Sequence, residues 1–100
     1  MAGMIQVTPK MLRDKAGELR NQNKSLRSHI ESLRTQEGGL SGMWEGEARD
    51  TFKREFTKDI TRMDEFCAAI DAYANALDTI ATQYENAEHK NTGLASSRQV

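Results

Sequence analysis

The stretch Leu40-Ser41-Gly42-Met43-Trp44-Glu45-Gly46-Glu47-Ala48 decides how this chain folds. It contains the only tryptophan and two of the seven glycines, and it separates two long segments with helical periodicity. Glycine is the residue that most readily ends a helix or enters a tight turn. The sequence therefore predicts a central turn over about 41–46, where the chain reverses direction.

The segment before the turn has a strong seven-residue repeat. Thr8-Pro9 is a typical helix start, because threonine caps the first N–H groups and proline is tolerated at the first helical position. A helix over about 8–40 is expected, with Gly38 and Gly39 weakening its end. Its apolar row is Leu12, Leu19, Leu26, Leu33 and Leu40, and the alternate row is Ala16, Asn23, Ile30 and Glu37.

The segment after the turn repeats in the same way, with a wider apolar stripe. It predicts a helix over about 47–89, followed by a mobile tail over about 90–100. The central row is Phe56, Met63, Ile70, Leu77 and Tyr84, flanked by Phe52, Phe66, Tyr73 and Ile80 on one side and by Ile60, Cys67, Ala74 and Ala81 on the other. This is wider than the seam between two helices requires.

Composition limits the classes of function. One hundred residues fit a single domain over 1–100, and one proline with six aromatic residues argues against a β-sandwich. A net charge of −1 gives no basic surface for nucleic acid. No apolar run is long enough to span a membrane, and the N-terminus lacks the pattern of a cleaved signal peptide.

Catalytic and metal-binding patterns are missing from the sequence. Cys67 is the only cysteine and is expected to be a small core residue, with an intermolecular disulfide or a reactive thiol as the alternative. His29 and His89 lie among polar residues, without the spacing of metal ligands or of a nucleophile and its base. The sequence therefore predicts no enzyme activity, no metal and no cofactor.

Folding the two helices back on each other gives an all-α, antiparallel two-helix hairpin. The two heptad rows then align Leu33 with Phe56 and continue in step as Leu26 with Met63, Leu19 with Ile70, and Leu12 with Leu77. A lone hairpin buries too little surface for one hundred residues. We expect these residues, together with Phe52, to form the hairpin and dimer core of a four-helix bundle made from two hairpins.

The central pattern resembles that of the WXG family, the small early-secreted-antigen-like proteins exported by type VII secretion systems. Trp44-x-Gly46 lies in the turn, with Leu40 before it and Ala48 and Phe52 after it. The resemblance extends from Ile5 to about Lys90. Two roles are open for the turn: Trp44 caps the bundle while Gly46 leaves room for the helices to close, or both residues also contact the export machinery.

The resemblance also implies an export signal, Tyr-x-x-x-Asp/Glu, which Tyr84 and Glu88 match. Within one chain these residues are ~60 Å from Trp44, because ~40 helical residues intervene. In a head-to-tail dimer, the turn of one chain would lie beside Tyr84 and Glu88 of the other. The family implies that the type VII secretion ATPase reads this composite end.

The sequence therefore leaves two functions open. One is a small non-enzymatic protein, cytoplasmic before export and secreted without a cleaved signal peptide, which acts as a homodimer or with a related WXG chain in virulence or as a secretion partner. The other is a cytosolic helical adaptor, or an escort for the helical N-terminal domain of a larger exported toxin. Membrane action has little support, because bundle packing already explains the apolar stripe.

Overall fold

The computed structural model describes the backbone of residues 6–98 and the side chains of residues 6–90. It contains two α-helices, α1 (Pro9–Gly42) and α2 (Glu47–Arg98), joined by a four-residue turn. The helices pack antiparallel in an elongated hairpin with extents of 82 × 28 × 17 Å. The predicted all-α hairpin is confirmed.

The start of α1 follows the expected capping chemistry. Thr8 has extended backbone angles, and its Oγ1 accepts a hydrogen bond from the N–H of Met11 at 3.1 Å. Pro9 occupies the first helical position, where its missing N–H costs nothing. These two residues fix where α1 begins.

Both helices end later than the sequence indicated. Gly38 and Gly39 do not end α1, which continues to Gly42. At its end the N–H of Met43 donates a hydrogen bond to the carbonyl oxygen of Leu40 at 3.0 Å. The second helix passes the predicted end near residue 89, so the predicted tail is helical to Arg98. Extending an existing helix gains one hydrogen bond per residue, which offsets the ~1 kcal/mol cost of a glycine. Residues 99–100 lie outside the described part.

The centre of the hairpin is a row of small and medium side chains. Asn23 donates from Nδ2 to the carbonyl oxygen of Cys67 at 2.9 Å and to Asp71 Oδ1 at 2.7 Å. Leu26 and Phe56 pack against this row from one side. The buried positions of this row are Ala16, Asn23 and Ile30 on α1 and Ile60, Cys67, Ala74 and Ala81 on α2; Ser41, near the end of α1, is buried as well.

This row corrects the predicted packing. The leucine row was expected to pair with Phe56, Met63, Ile70 and Leu77 at the centre, and the structure places both of those rows beside the centre instead. Alanine and cysteine let two helix backbones approach closely, so the bulkier leucines and aromatic residues are left along one edge of the contact. Cys67 is fully buried, as expected of a core thiol.

The opposite edge of the contact is a ladder of ion pairs, which the sequence analysis missed. Arginines at every seventh position of α1 meet acids at every seventh position of α2. The pairs are Arg13 with Glu85, Arg20 with Asp78 (2.6 Å), Arg27 with Asp71 (2.6 Å) and Arg34 with Asp64. Because these side chains are partly exposed, each pair contributes only about 0–1 kcal/mol. Their constant spacing nevertheless favours this antiparallel alignment.

Candidate interaction surface and turn motif

The turn places Trp44 at the end of an aromatic row on α2. The half-buried Trp44 ring lies 5.8 Å from the ring of Phe52, which in turn lies 6.1 Å from that of Phe56. These centroid distances are typical of favourable aromatic pairs. Met43, the neighbour of Trp44, is 84% exposed. Trp44 therefore covers the turn end of the hairpin and keeps part of its surface accessible.

Gly46 is required by its backbone conformation. Its φ of +113° is disfavoured for residues with a side chain, and its carbonyl accepts the N–H of Asp50 at 3.2 Å in the first turn of α2. A Cβ at this position would meet nothing within 4 Å. The interpretation that a side chain would obstruct helix closure is therefore wrong; the glycine permits the φ that starts α2.

Replacing Gly46 by alanine should lower the free energy of unfolding by about 1–2 kcal/mol, because alanine is strained at this φ. The matched control is Gly39→Ala, which lies in an open helical position and should raise stability by about 0.5–1 kcal/mol. Thermal or urea unfolding followed by circular dichroism measures both changes. Equal changes of the same sign in the two variants would contradict this role for the φ of Gly46.

The second sequence motif lies at the far end of the hairpin. Tyr84 is 48% exposed and Glu88 is exposed. Tyr84 was expected on an overhang beyond the start of α1; instead it lies alongside the first turns of α1, where its neighbour Glu85 pairs with Arg13. About 40 helical residues, or ~60 Å, separate it from the turn. The structure therefore does not bring Trp44 and Tyr84 together within one chain.

The residues predicted to form the hairpin and dimer core share one uncovered apolar face. None of them is fully buried, and large side chains beside them are strongly exposed: Phe66 is 59% and Tyr73 63% exposed. The half-buried members are Leu12, Leu19, Leu26, Phe56, Ile70 and Leu77, and the more exposed ones are Leu33, Phe52 and Met63. An apolar face of this length is typical of an interaction surface.

The described side chains offer no arrangement for metal binding, since no group of three or more His, Cys, Asp and Glu residues converges among them. Over the same part of the chain, neither helix has a segment long and apolar enough to cross a membrane.

A helical hairpin of about one hundred residues, with Trp-x-Gly in its turn and one uncovered apolar face, defines a known class of protein. The chain matches the model of the WXG100 family, described as proteins of 100 residues with WXG, over residues 4–89. It belongs to this family, whose Esx-like members are secreted by type VII systems.

Solved structures of Esx proteins have the same fold. Secreted protein EsxB of Bacillus anthracis, wild type, is 28% identical, with a TM-score of 0.75 over 86% of this chain and 91% of that chain. Selenomethionine-labelled EsxB is 27% identical, with a TM-score of 0.76 and coverages of 88% and 99%. EsxA of Geobacillus thermodenitrificans (23% identity, TM-score 0.73, coverages of 90% and 97%) shows the likeness of fold alone. No curated protein sequence matches the chain.

Proposed function

We propose that this chain is a non-enzymatic protein that a type VII secretion system exports from the cytoplasm as a head-to-tail dimer, without a cleaved signal peptide. Outside the cell it acts through helical contacts, as a virulence effector or as a secretion partner. The observation that carries the proposal is the Trp-x-Gly turn of a WXG100 hairpin, with a Tyr-x-x-x-Glu segment exposed at the other end.

The uncovered apolar face supports a dimer. Leu33, Met63 and Phe66 are each more than a third exposed in the single chain, although each lies on the face that carries the heptad rows. Covering one apolar side chain contributes about 1.5–3 kcal/mol relative to leaving it in water. Two hairpins packed face to face would form a four-helix bundle and bury both faces.

Head-to-tail packing would assemble the export signal from two chains. Trp44 and Gly46 of one chain would lie beside Tyr84 and Glu88 of the other, whereas ~60 Å separates the two motifs within one chain. The type VII secretion ATPase would bind this composite end. Tyr84 offers a ring and a hydroxyl group for such a contact, and Glu88 offers a carboxylate; both residues are exposed in the hairpin.

Export of point variants tests this function. In a host with a type VII system, Tyr84→Ala and Glu88→Gln should lower secretion at least tenfold while cytoplasmic levels and helicity stay unchanged. Gln83→Ala, an exposed neighbour on the same helix, is the matched control and should be exported normally. Deleting the ATPase should retain all forms in the cell. Normal export of both motif variants would reject the signal.

The breadth of the apolar face on α2 also suits the second function, an adaptor or an escort that covers the helical N-terminal domain of a larger exported toxin. Co-expression with such a domain separates the two functions. A stable 1:1 complex that forms at the expense of the self-dimer would favour the escort. A chain that stays in the cytoplasm of a secreting host would favour the adaptor.

A further inference from the structure

The outer edge of the apolar face carries a stripe on α2 that the hairpin leaves uncovered. Its members are spaced by seven residues: Phe52, Asp59, Phe66, Tyr73 and Ile80. The aromatic and aliphatic members are 39–63% exposed, and Phe66 and Tyr73 are the most exposed of them. The stripe lies roughly a quarter to a third of a turn round α2 from the buried row that contacts α1.

The corresponding outer edge of α1 is polar. It carries Lys15, Gln22, His29 and Gln36, all of them exposed. In a four-helix bundle each helix contacts two neighbours, and the row between those contacts faces the bundle axis. The outer edge of α2 must therefore pack on a helix of the second hairpin, and the chemistry of the two edges decides which helix that is.

We propose that a second copy of this chain completes the bundle, with α2 packed antiparallel on α2 of the second copy about a two-fold axis at Phe66. This rests on the dimer of the proposed function and specifies its partner and its register. The arrangement places apolar edge against apolar edge and polar edge against polar edge. Turning the second hairpin end for end would instead place the apolar edge of α2 against the polar edge of α1.

The stripe is self-complementary about this axis. Phe66 is its middle member and faces Phe66 of the second copy. Asp59 and Tyr73 lie seven residues to either side of Phe66, and Phe52 and Ile80 lie fourteen residues to either side. Asp59 of one copy therefore faces Tyr73 of the other, and Phe52 of one copy faces Ile80 of the other. The one charged residue of the stripe thus faces the one residue with a hydrogen-bond donor, and the Tyr73 hydroxyl of the second copy can donate to the Asp59 carboxylate.

The surface around Asp59 has the shape that this pairing requires. Asp59, Arg62, Met63 and Phe66 surround a shallow depression that also reaches Leu26. Four residues spaced in this way on one helix form the hole that receives a side chain from a facing helix. Tyr73 and Ile70 of the second copy lie at the level of this hole.

The polar edge of α1 is symmetric in the same way. Gln22 and Gln36 lie seven residues to either side of His29, so the two amides face each other across an axis at His29. The ion-pair ladder places Phe66 level with Ser32, three residues from His29, because Arg27 pairs with Asp71 and Arg34 with Asp64. An axis at Phe66 therefore passes within about 5 Å of His29 along the helix.

The same two-fold axis relates the positions of the two proposed export motifs, so that the turn motif of one copy lies level with the Tyr-x-x-x-Glu segment of the other. Trp44 and Glu88 each lie 22 residues from Phe66, and Ala48 and Tyr84 each lie 18 residues from it. Packing of the stripe thus places the turn of one copy beside the Tyr-x-x-x-Glu segment of the other. The register follows from the stripe alone, without reference to either motif.

Cross-linking of mixed cysteine variants tests the register. In a Cys67→Ala background, which removes the native thiol, Asp59→Cys and Tyr73→Cys chains are purified, mixed and treated with a short thiol-specific cross-linker. The mixture should give a covalent dimer and each variant alone should not, because like positions lie ~21 Å apart along the helix. Phe66→Cys alone should cross-link, and Glu65→Cys, on the far side of α2, should not.

The affinity of the dimer gives a second measurement. Tyr73→Phe should raise the dissociation constant about tenfold, and Asp59→Asn should add little to it in that background. Self-links at residue 59, or equal links at residues 65 and 66, would overturn the register; a monomer at all concentrations would overturn the self-partner. Both results are obtained with purified protein, so they are independent of whether the chain is exported.

Discussion

Replacing Met63 by glutamate is expected to convert the chain from a dimer to a monomer. Met63 is 39% exposed in the single hairpin and lies in the row that faces the axis of the proposed bundle. A carboxylate there remains solvated in the monomer and loses its water in the dimer. Burying an unpaired charge costs several kcal/mol, and symmetry introduces two such charges, so self-association should weaken more than a hundredfold.

Light scattering over a concentration series measures this effect. The natural chain should give a mass near twice 11.3 kDa and the Met63→Glu variant a mass near 11.3 kDa. Thr79→Glu adds the same charge at an exposed position away from the apolar face and should remain dimeric. A Met63→Glu dimer as tight as the natural one would show that this face is not the interface.

Replacing Ile30 by alanine is expected to lower the free energy of unfolding by about 2–4 kcal/mol. Ile30 is 2% exposed and packs with Ile60 and Cys67 at the centre of the hairpin. The neighbouring small residues leave little that can move in to fill the space of the lost side chain. Since a small domain has only about 5–15 kcal/mol of stability, this single change should bring the chain close to unfolding at moderate temperature.

Urea unfolding followed by circular dichroism at a fixed protein concentration measures this loss. Ser32→Ala, two residues away and exposed, is the matched control and should change stability by less than about 0.5 kcal/mol. A similarly small loss for Ile30→Ala would mean that the buried row does not stabilise the hairpin.

The sequence predicts the hairpin well because its strongest local signals agree with the fold. Thr8 and Pro9 mark the start of α1, and the glycines around Trp44 mark the reversal between two amphipathic helices. Each of these signals acts within one helical turn, so a single sequence reveals it. The ends of the helices are less predictable, because elongation through a glycine depends on a small difference in free energy.

Hydrophobicity alone could not predict which row of side chains lies at the centre of the hairpin. The leucines and Met63 form the more apolar rows, yet the buried row includes Ala16, Ala74 and Cys67. Close approach of two helices favours small side chains, whereas large apolar residues would cover more area on the second hairpin of the proposed bundle. The ladder of Arg13, Arg20, Arg27 and Arg34 was visible as a seven-residue repeat and matches the acids at the same spacing on α2. A search for charged residues that repeat every seven residues, as the leucines do, would have predicted this ladder.

Complementation between two inactive variants tests most directly whether the export signal is assembled from two chains. Trp44→Ala and Tyr84→Ala chains, distinguished by tags, are expressed separately and together in a host with a type VII system. In a head-to-tail dimer of the two variants, one end combines both substitutions, and the other end combines an intact turn with an intact Tyr84. Each variant alone should stay in the cell, and co-expression should restore export of both tags together. Failure of co-expression to restore export, although the two variants still associate, would contradict a signal shared between chains.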